Sequence, residues 1–193
     1  MGNSLLPDFS DLLQQPDFGG FLKVWQSARQ GAELPRRQEL SLRDMAPYLE
    51  RMLVYEWDED ARLSSRIMGS DVQERVKLSA QSLNWMDHIA ADLVDISKQW
   101  WNGLYAQPCA GAMEYSIGYL DGKCKLGQCL LLPVRPVSGQ LQVFALNYVD
   151  DIYRIDPDPD SLTIGADRLK TCYYDIGFDL PDDAEDIVVH KMN

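Results

Sequence analysis

Residues 109–134 read CAGAMEYSIGYL-DG-KCKLGQCLLLPV, two strand-like runs hinged on Asp121-Gly122. Asp-Gly between two such runs is a strong signal for a two-residue hairpin turn. It predicts strands over 109–120 and 123–134, and a third follows over 141–148 after a second turn at Ser138-Gly139. Leu130, Leu131 and Leu132 do not alternate with polar residues, so the middle strand is apolar on both faces and needs a cover on each side. Pro133 and Pro136 each remove a ladder donor, which places them at a bulge or at the strand's end.

Working outward, Pro108 stops a long helix predicted over 85–105. There Trp85, Ile89, Leu93, Ile96, Trp100 and Leu104 recur every three or four residues, while Asp87, Asp92, Asp95 and Lys98 take the other side. Residues 69–84 read as short helical turns. Before them, strands over 52–57 and 62–68 flank the polar turn Asp58-Glu59-Asp60-Ala61. Ser41-Leu42-Arg43-Asp44 resembles a capping box with Asp in place of Glu and opens a short helix running to Arg51. Further out, Phe21, Val24, Trp25 and Ala28 share one face of a helix over 20–30, which Gly31 ends. Either the outer face of the chain's own sheet or the same helix of a second copy must cover that stripe. Burying such side chains contributes ~1.5–3 kcal/mol each, and the expectation is a homodimer held through Phe21, Val24, Trp25 and Ala28.

The order strand-strand-short helices-long helix-three strands, with Leu34-Pro35-Arg36-Arg37, Arg66-Ile67-Met68-Gly69-Ser70 and Leu130-Leu131-Leu132-Pro133-Val134, resembles a stand-alone PAS domain of a bacterial family common in alphaproteobacteria. The resemblance covers residues 34–149. It implies an α+β fold: a five-stranded antiparallel sheet with short helices and one long helix on one face. Residues 1–33 are then an N-terminal extension carrying the amphipathic helix. Residues 150–193 are an acidic C-terminal extension, separate from the domain, with one β-like stretch at 171–176. The resemblance further implies a small-molecule cavity between the sheet and the long helix, drawing on Arg66, Met68, Trp85, Ile89, Met113, Tyr115 and Asn147. Arg66 offers a guanidinium to a ligand carboxylate or, as the commoner arrangement, pairs with Glu56 on the neighbouring strand. Where relatives usually carry a Thr-Gly pair, this chain has Ser82-Leu83-Asn84-Trp85, which brings a large ring to the cavity mouth and favours an occluded pocket.

Composition narrows the function. With 30 acidic against 18 basic residues and a net charge of −12, nucleic acid is a poor partner, because binding it requires cations that displace counterions from phosphates. No apolar run approaches the ~20 residues that span a bilayer, and no basic region leads into an apolar one. Met1-Gly2-Asn3-Ser4-Leu5-Leu6 begins like a myristoylation site but has Leu6 where Ser or Thr belongs. The chain reads as cytoplasmic. Four cysteines show no C-x-x-C spacing, and the Asp121-Gly122 turn sets Tyr119 opposite Cys124, Glu114 opposite Cys129 and Cys109 opposite Val134. No cysteine faces another, so buried free thiols are expected.

No nucleophile elbow, phosphate-binding loop, dinucleotide fingerprint or H-E-x-x-H is present, and no catalytic residues are expected. PAS domains that hold haem use a histidine on the long helix. His88 is the one candidate and sits one residue off the apolar stripe, so no cofactor is expected. Flavin photochemistry of the light-sensing PAS type needs an Asn-Cys-Arg motif, and Asn84-Trp85 supplies no cysteine. Asp156, Asp158 and Asp160 alternate like calcium-loop ligands, but Ser161 replaces the required Gly and two prolines stiffen the loop, so no metal is expected. The resulting expectation is a non-enzymatic sensory or regulatory module. It binds a small molecule, a protein partner that supplies output in trans, or both. The alternatives are a purely structural or adaptor dimer and an enzyme of unrecognised type.

Overall fold

The computed structural model describes residues 9–15, 17–29, 31, 33–76, 84–118, 124–136, 140–149 and 169–182. In chain order these form α1 (Phe9–Leu12), α2 (Phe18–Ala28), a 3-10 turn (Arg37–Glu39) and α3 (Leu42–Met45), which runs into a 3-10 turn (Ala46–Arg51). Next come β1 (Met52–Trp57), β2 (Leu63–Met68), α4 (Ser70–Val76), 3-10 turns at Trp85–His88 and Ala91–Leu93, and α5 (Val94–Ala106). The chain then supplies β3 (Ala110–Gly118), β4 (Cys124–Val134), β5 (Gln142–Val149) and β6 (Leu169–Tyr174). The Ser41 hydroxyl accepts from the Asp44 amide at 3.3 Å, as a capping residue does.

All strand pairs are antiparallel, and the sheet order is β2-β1-β5-β4-β3-β6. The fold is α+β, but among the described residues the sheet has six strands rather than five. β6 pairs along β3, with Cys172 opposite Ala112, and Lys170 Nζ lies 2.8 Å from Glu114 Oε1 across that pair. Beyond β6 the chain is tied to both layers. Arg29, just after α2, donates to the Ile176 carbonyl at 2.8 Å and lies 4.8 Å over the Phe178 ring, while Gln107 after α5 donates to the Phe178 carbonyl. Part of the expected C-terminal extension is therefore built into the sheet.

The β3–β4 register differs by one from the two-residue-turn expectation: Gly118 faces Cys124, Met113 faces Cys129 and Glu114 faces Gln128. Side chains alternate faces along a strand, so register follows the apolar pattern. The observed pairing keeps the Glu114 carboxylate away from fully buried Cys129. Cys129 lies between Met113 and Asn147, and Cys172 lies opposite Ala112, so among the described residues no cysteine faces another. The turns at Asp121-Gly122 and Ser138-Gly139, the Asp156–Asp160 run and Ser82-Leu83 lie outside the described residues.

Leu130, Leu131 and Leu132 are fully buried, and each face of the sheet has its own cover. On the outer face Phe18, Phe21, Leu22, Trp25 and Ala28 of α2 pack in one cluster with Val54, Leu130, Leu132, Phe144 and Leu146. On the inner face Trp100, Trp101 and Leu104 of α5 pack with Leu53, Tyr55, Leu131 and Ala145. The stripe for which a dimer was expected is thus covered by the chain's own sheet. Phe21, Trp25 and Ala28 are buried within the chain and Val24 is half-buried, so they supply no free dimerisation face.

The long helix is shorter than its periodicity predicts. Asn84 caps a 3-10 turn by accepting from the Met86 amide, Ile89 and Ala90 are extended, and α5 starts only at Val94. The stripe still faces the sheet: Leu93, Trp100 and Leu104 are buried, and Trp85, Ile89 and Ile96 pack beside them half-buried. Adjacent Trp100 and Trp101 are both buried because Tyr173 of β6 stacks on Trp100 from the sheet's edge, with centroids 5.8 Å apart. Among the described residues no helix is long and apolar enough to cross a membrane.

Pro133 shows how the two layers join. It sits at the end of β4, where β3 no longer pairs. A strand residue's N–H and C=O point to the same side. The absent N–H therefore falls where no ladder partner is lost, and the Pro133 carbonyl on that side accepts from the Trp25 indole at 2.7 Å. Trp25→Phe removes that donor and leaves a buried carbonyl unsatisfied. It is expected to lower the unfolding free energy by about 1–3 kcal/mol with secondary structure unchanged, measured by urea titration followed by circular dichroism. An unchanged midpoint would show that the bond contributes nothing net.

Candidate functional site

Six of the seven residues expected to line a cavity converge on the inner face, beneath the segment from Trp85 to Ile96. Met113 of β3 and Asn147 of β5 flank Cys129 in one row across the sheet, and Tyr115 stands one pleat along from Met113. Trp85, Ile89, Met113 and Tyr115 pack on the inner-face core half-buried, in contrast to the fully buried Trp100 and Trp101 at its other end. Met68 joins them from β2.

Arg66 does not join them. β1 and β2 pair Val54 with Ile67 but Tyr55 with Ser65, so Arg66 is the extra residue of a β-bulge. A bulge breaks the alternation of faces. Ser65 and Met68 then turn inward, while Arg66 is swung out, its side chain 61 % exposed and its Nε 3.8 Å from Glu56 Oε1. No ligand on the inner face is oriented by this guanidinium. The Glu56 pairing named from the sequence is the one observed.

The polar groups of the inner face are neutral and mostly bonded to one another. Tyr115 Oη donates to Asn147 Oδ1 at 2.8 Å, and Asn147 Nδ2 donates to the Arg51 carbonyl at 3.2 Å. Gly127, opposite Tyr115, makes room for that ring: a Cβ there would collide with it. Trp85 Nε1 donates to Ser65 Oγ at 2.5 Å, which ties the indole to β2.

Tyr55 is the residue that sequence reasoning missed. It is 5 % exposed and meets the rings of Trp85 and Trp101 edge-on at 5.9 and 5.0 Å. Burial, reinforced by Cys129, Tyr115 and Tyr105, holds its phenol well above the ordinary tyrosine range, so it remains a donor. Its carbonyl accepts from Tyr105 Oη at 3.0 Å, but among the described residues no hydrogen bond reaches its hydroxyl. The alternation of β1, with Leu53, Tyr55 and Trp57 on one face, was the available signal.

His88 lies half-buried in the 3-10 turn rather than on a long helix. Among the described residues no three His, Cys, Asp or Glu side chains are grouped to hold a metal. Two open grooves lie apart from the cluster. One of about 630 Å³ runs between α5 and Pro181, with Asp95, Lys98 and Asp182 on its walls; one of about 460 Å³ is flanked by Trp57, Asp58 and Tyr105. Neither contains any of the seven expected residues.

The thiols are structural. Burial pushes Cys109 up to about 12 and Cys172 up to about 11, and raises Cys129 further in the same direction. In an unfolded chain a thiol titrates near ~8.5. The folded values are raised, so this stability is fully present below that pH and is lost as pH rises toward 11 and 12. The urea midpoint is expected to fall steadily above about pH 8.5, and Cys129 in the native chain should resist iodoacetamide at pH 8. A midpoint flat from pH 8 to 11 would contradict this burial. Arg66→Ala is expected to change stability by about 0.5 kcal/mol or less, since exposed pairs contribute little.

No family model, curated protein or solved structure matches the chain, so its own geometry carries the functional reading.

Proposed function

We propose that the chain is a non-enzymatic PAS-type regulatory module that binds a small molecule on the inner face of its sheet and passes the change to a protein partner. The observation that carries this reading is the unequal packing of that face. One end is a closed aromatic core; the other presents half-buried Trp85, Ile89, Met113 and Tyr115 around neutral hydrogen-bonding groups. Concave, mostly apolar walls with a few convergent polar groups are the usual form of a small-molecule site. The element order of two strands, helical turns, a helix and three strands supports the PAS assignment. Buried thiols without cysteine partners among the described residues fit a reducing compartment such as the cytoplasm. Self-association, where it occurs, must use a surface other than the stripe of α2.

Met113→Trp fills the entrance. In an open site the variant should keep the wild-type melting temperature while losing the thermal shift that a bound metabolite gives the wild-type chain. In a solidly packed core the same change overpacks and costs about 1–3 kcal/mol. A strongly destabilised variant, with no thermal shift of the wild type by any compound of a broad metabolite set, would leave a ligand-free adaptor as the reading. Native mass spectrometry of the purified chain gives an independent check, since a co-purified small molecule appears as a discrete added mass.

A further inference from the structure

We propose that the inner-face site takes a neutral, planar aromatic molecule that offers a hydrogen-bond acceptor to the Tyr55 hydroxyl, and that it discriminates against the anionic form of the same molecule. The proposal rests on the ligand-binding reading above and adds the chemistry of the ligand.

Charge is the first ground. Arg66, the cation expected to meet an anionic ligand, is turned to solvent by the β2 bulge. Arg51 meets Asn147 only through its carbonyl, its guanidinium being 2.5 Å from Asp17. Lys170 is engaged by Glu114, whose neighbours Met113 and Tyr115 point to the opposite face. The segment covering the site carries exposed Asp87, Asp92 and Asp95, and the chain as a whole is at −12. A carboxylate entering here would lose its hydration while, among the described residues, Arg66, Arg51 and Lys170 are all turned away or engaged, which is unfavourable.

The second ground is the hydrogen-bond inventory. Asn147 is engaged at Oδ1 by Tyr115 and at Nδ2 by the Arg51 carbonyl, and Ser65 Oγ accepts from the Trp85 indole. Among the described residues the Tyr55 hydroxyl is left with no such partner, and it is not one of the enclosed atoms that lack one, which are Trp100 Nε1 and Gln142 Oε1, so it stays accessible although the residue is only 5 % exposed. A ligand acceptor there would take the place of water as the partner of this donor. Shape is the third ground. Trp85 and Tyr55 present rings edge to face, an arrangement that accepts another flat ring, and the thioethers of Met68 and Met113 give adaptable walls.

The test uses matched pairs differing in charge: benzamide with benzoate, and indole-3-carboxamide with indole-3-carboxylate. Binding to the full chain at pH 7 is followed by calorimetry and thermal shift. The carboxamides are expected to bind and raise the melting temperature, with the carboxylates about tenfold or more weaker. Tyr55→Phe should melt like wild type without ligand, because it removes an oxygen with no partner, and should lose about tenfold in carboxamide affinity. Carboxylates that bind as well as the amides, or a Tyr55→Phe variant that binds like wild type, overturn the proposal but leave a ligand site standing. If no probe of either charge binds, the underlying reading fails as well. The amide-carboxylate comparison is made on the wild-type chain and decides the charge question without any variant.

Discussion

A strand that is apolar on both faces imposes the architecture. Leu130 and Leu132 point into one layer and Leu131 into the other, all three fully buried. A sheet built on such a strand has no face to leave to water, so the chain must supply two covers, and it draws them from opposite ends of the domain. α2 closes one side before the sheet begins; α5 and the turns before it close the other. The seam between layers is fastened where the strand ends, by an indole reaching the carbonyl of a proline. Both covers carry half-buried apolar residues at their margins, Val24 and Tyr148 on the outer side and Ile89 and Tyr115 on the inner one.

Much of this was legible before any coordinates. The five strands between Met52 and Val149 fall within a residue or two of their predicted bounds, because turn residues and β-branched runs are local signals. The need for a second cover followed from three consecutive leucines. Six of the seven cavity residues meet on one face because strand alternation and helical periodicity both specify faces. What was not legible depends on single-residue events. The bulge at Arg66 has no signature in Leu63–Met68, yet it alone turns Arg66 away from the other six residues. The pause at Ile89 and Ala90 is invisible to periodicity, since extended and helical residues both keep Ile89 toward the sheet. Whether α2 would cover its own sheet or a twin is a tertiary question that an amphipathic stripe cannot answer. Tyr55 went unremarked because a tyrosine on a core strand is ordinarily packing material. Only its surroundings make its hydroxyl conspicuous.

The C-terminal segment changes what counts as the domain. β6 occupies the edge of β3, Tyr173 stacks on Trp100 and donates to its carbonyl at 2.8 Å, and residues 176–178 are gripped from α2 on one side and from the end of α5 on the other. A segment that touches both layers bears on both cores. Its contribution to the inner face runs along β3, from Tyr173 opposite Gly111 to Thr171 opposite Met113 and Leu169 opposite Tyr115.

The bulge that withdraws Arg66 from the site has a second effect, on how the sheet meets other chains. β2 is the outermost strand on its side of the sheet, and of its amides that of Leu63 is taken by Asn84 Oδ1 at 3.1 Å. Regular edge strands of this kind template intermolecular addition, the first step toward fibrous aggregates. An extra residue in mid-strand interrupts the spacing that an incoming strand would have to match, and it carries an exposed guanidinium there. At the other side, β6 shields the edge of β3. The margin at β2 is thus irregular and charged, while on the other side β6 takes over from β3 as the outermost strand among the described residues.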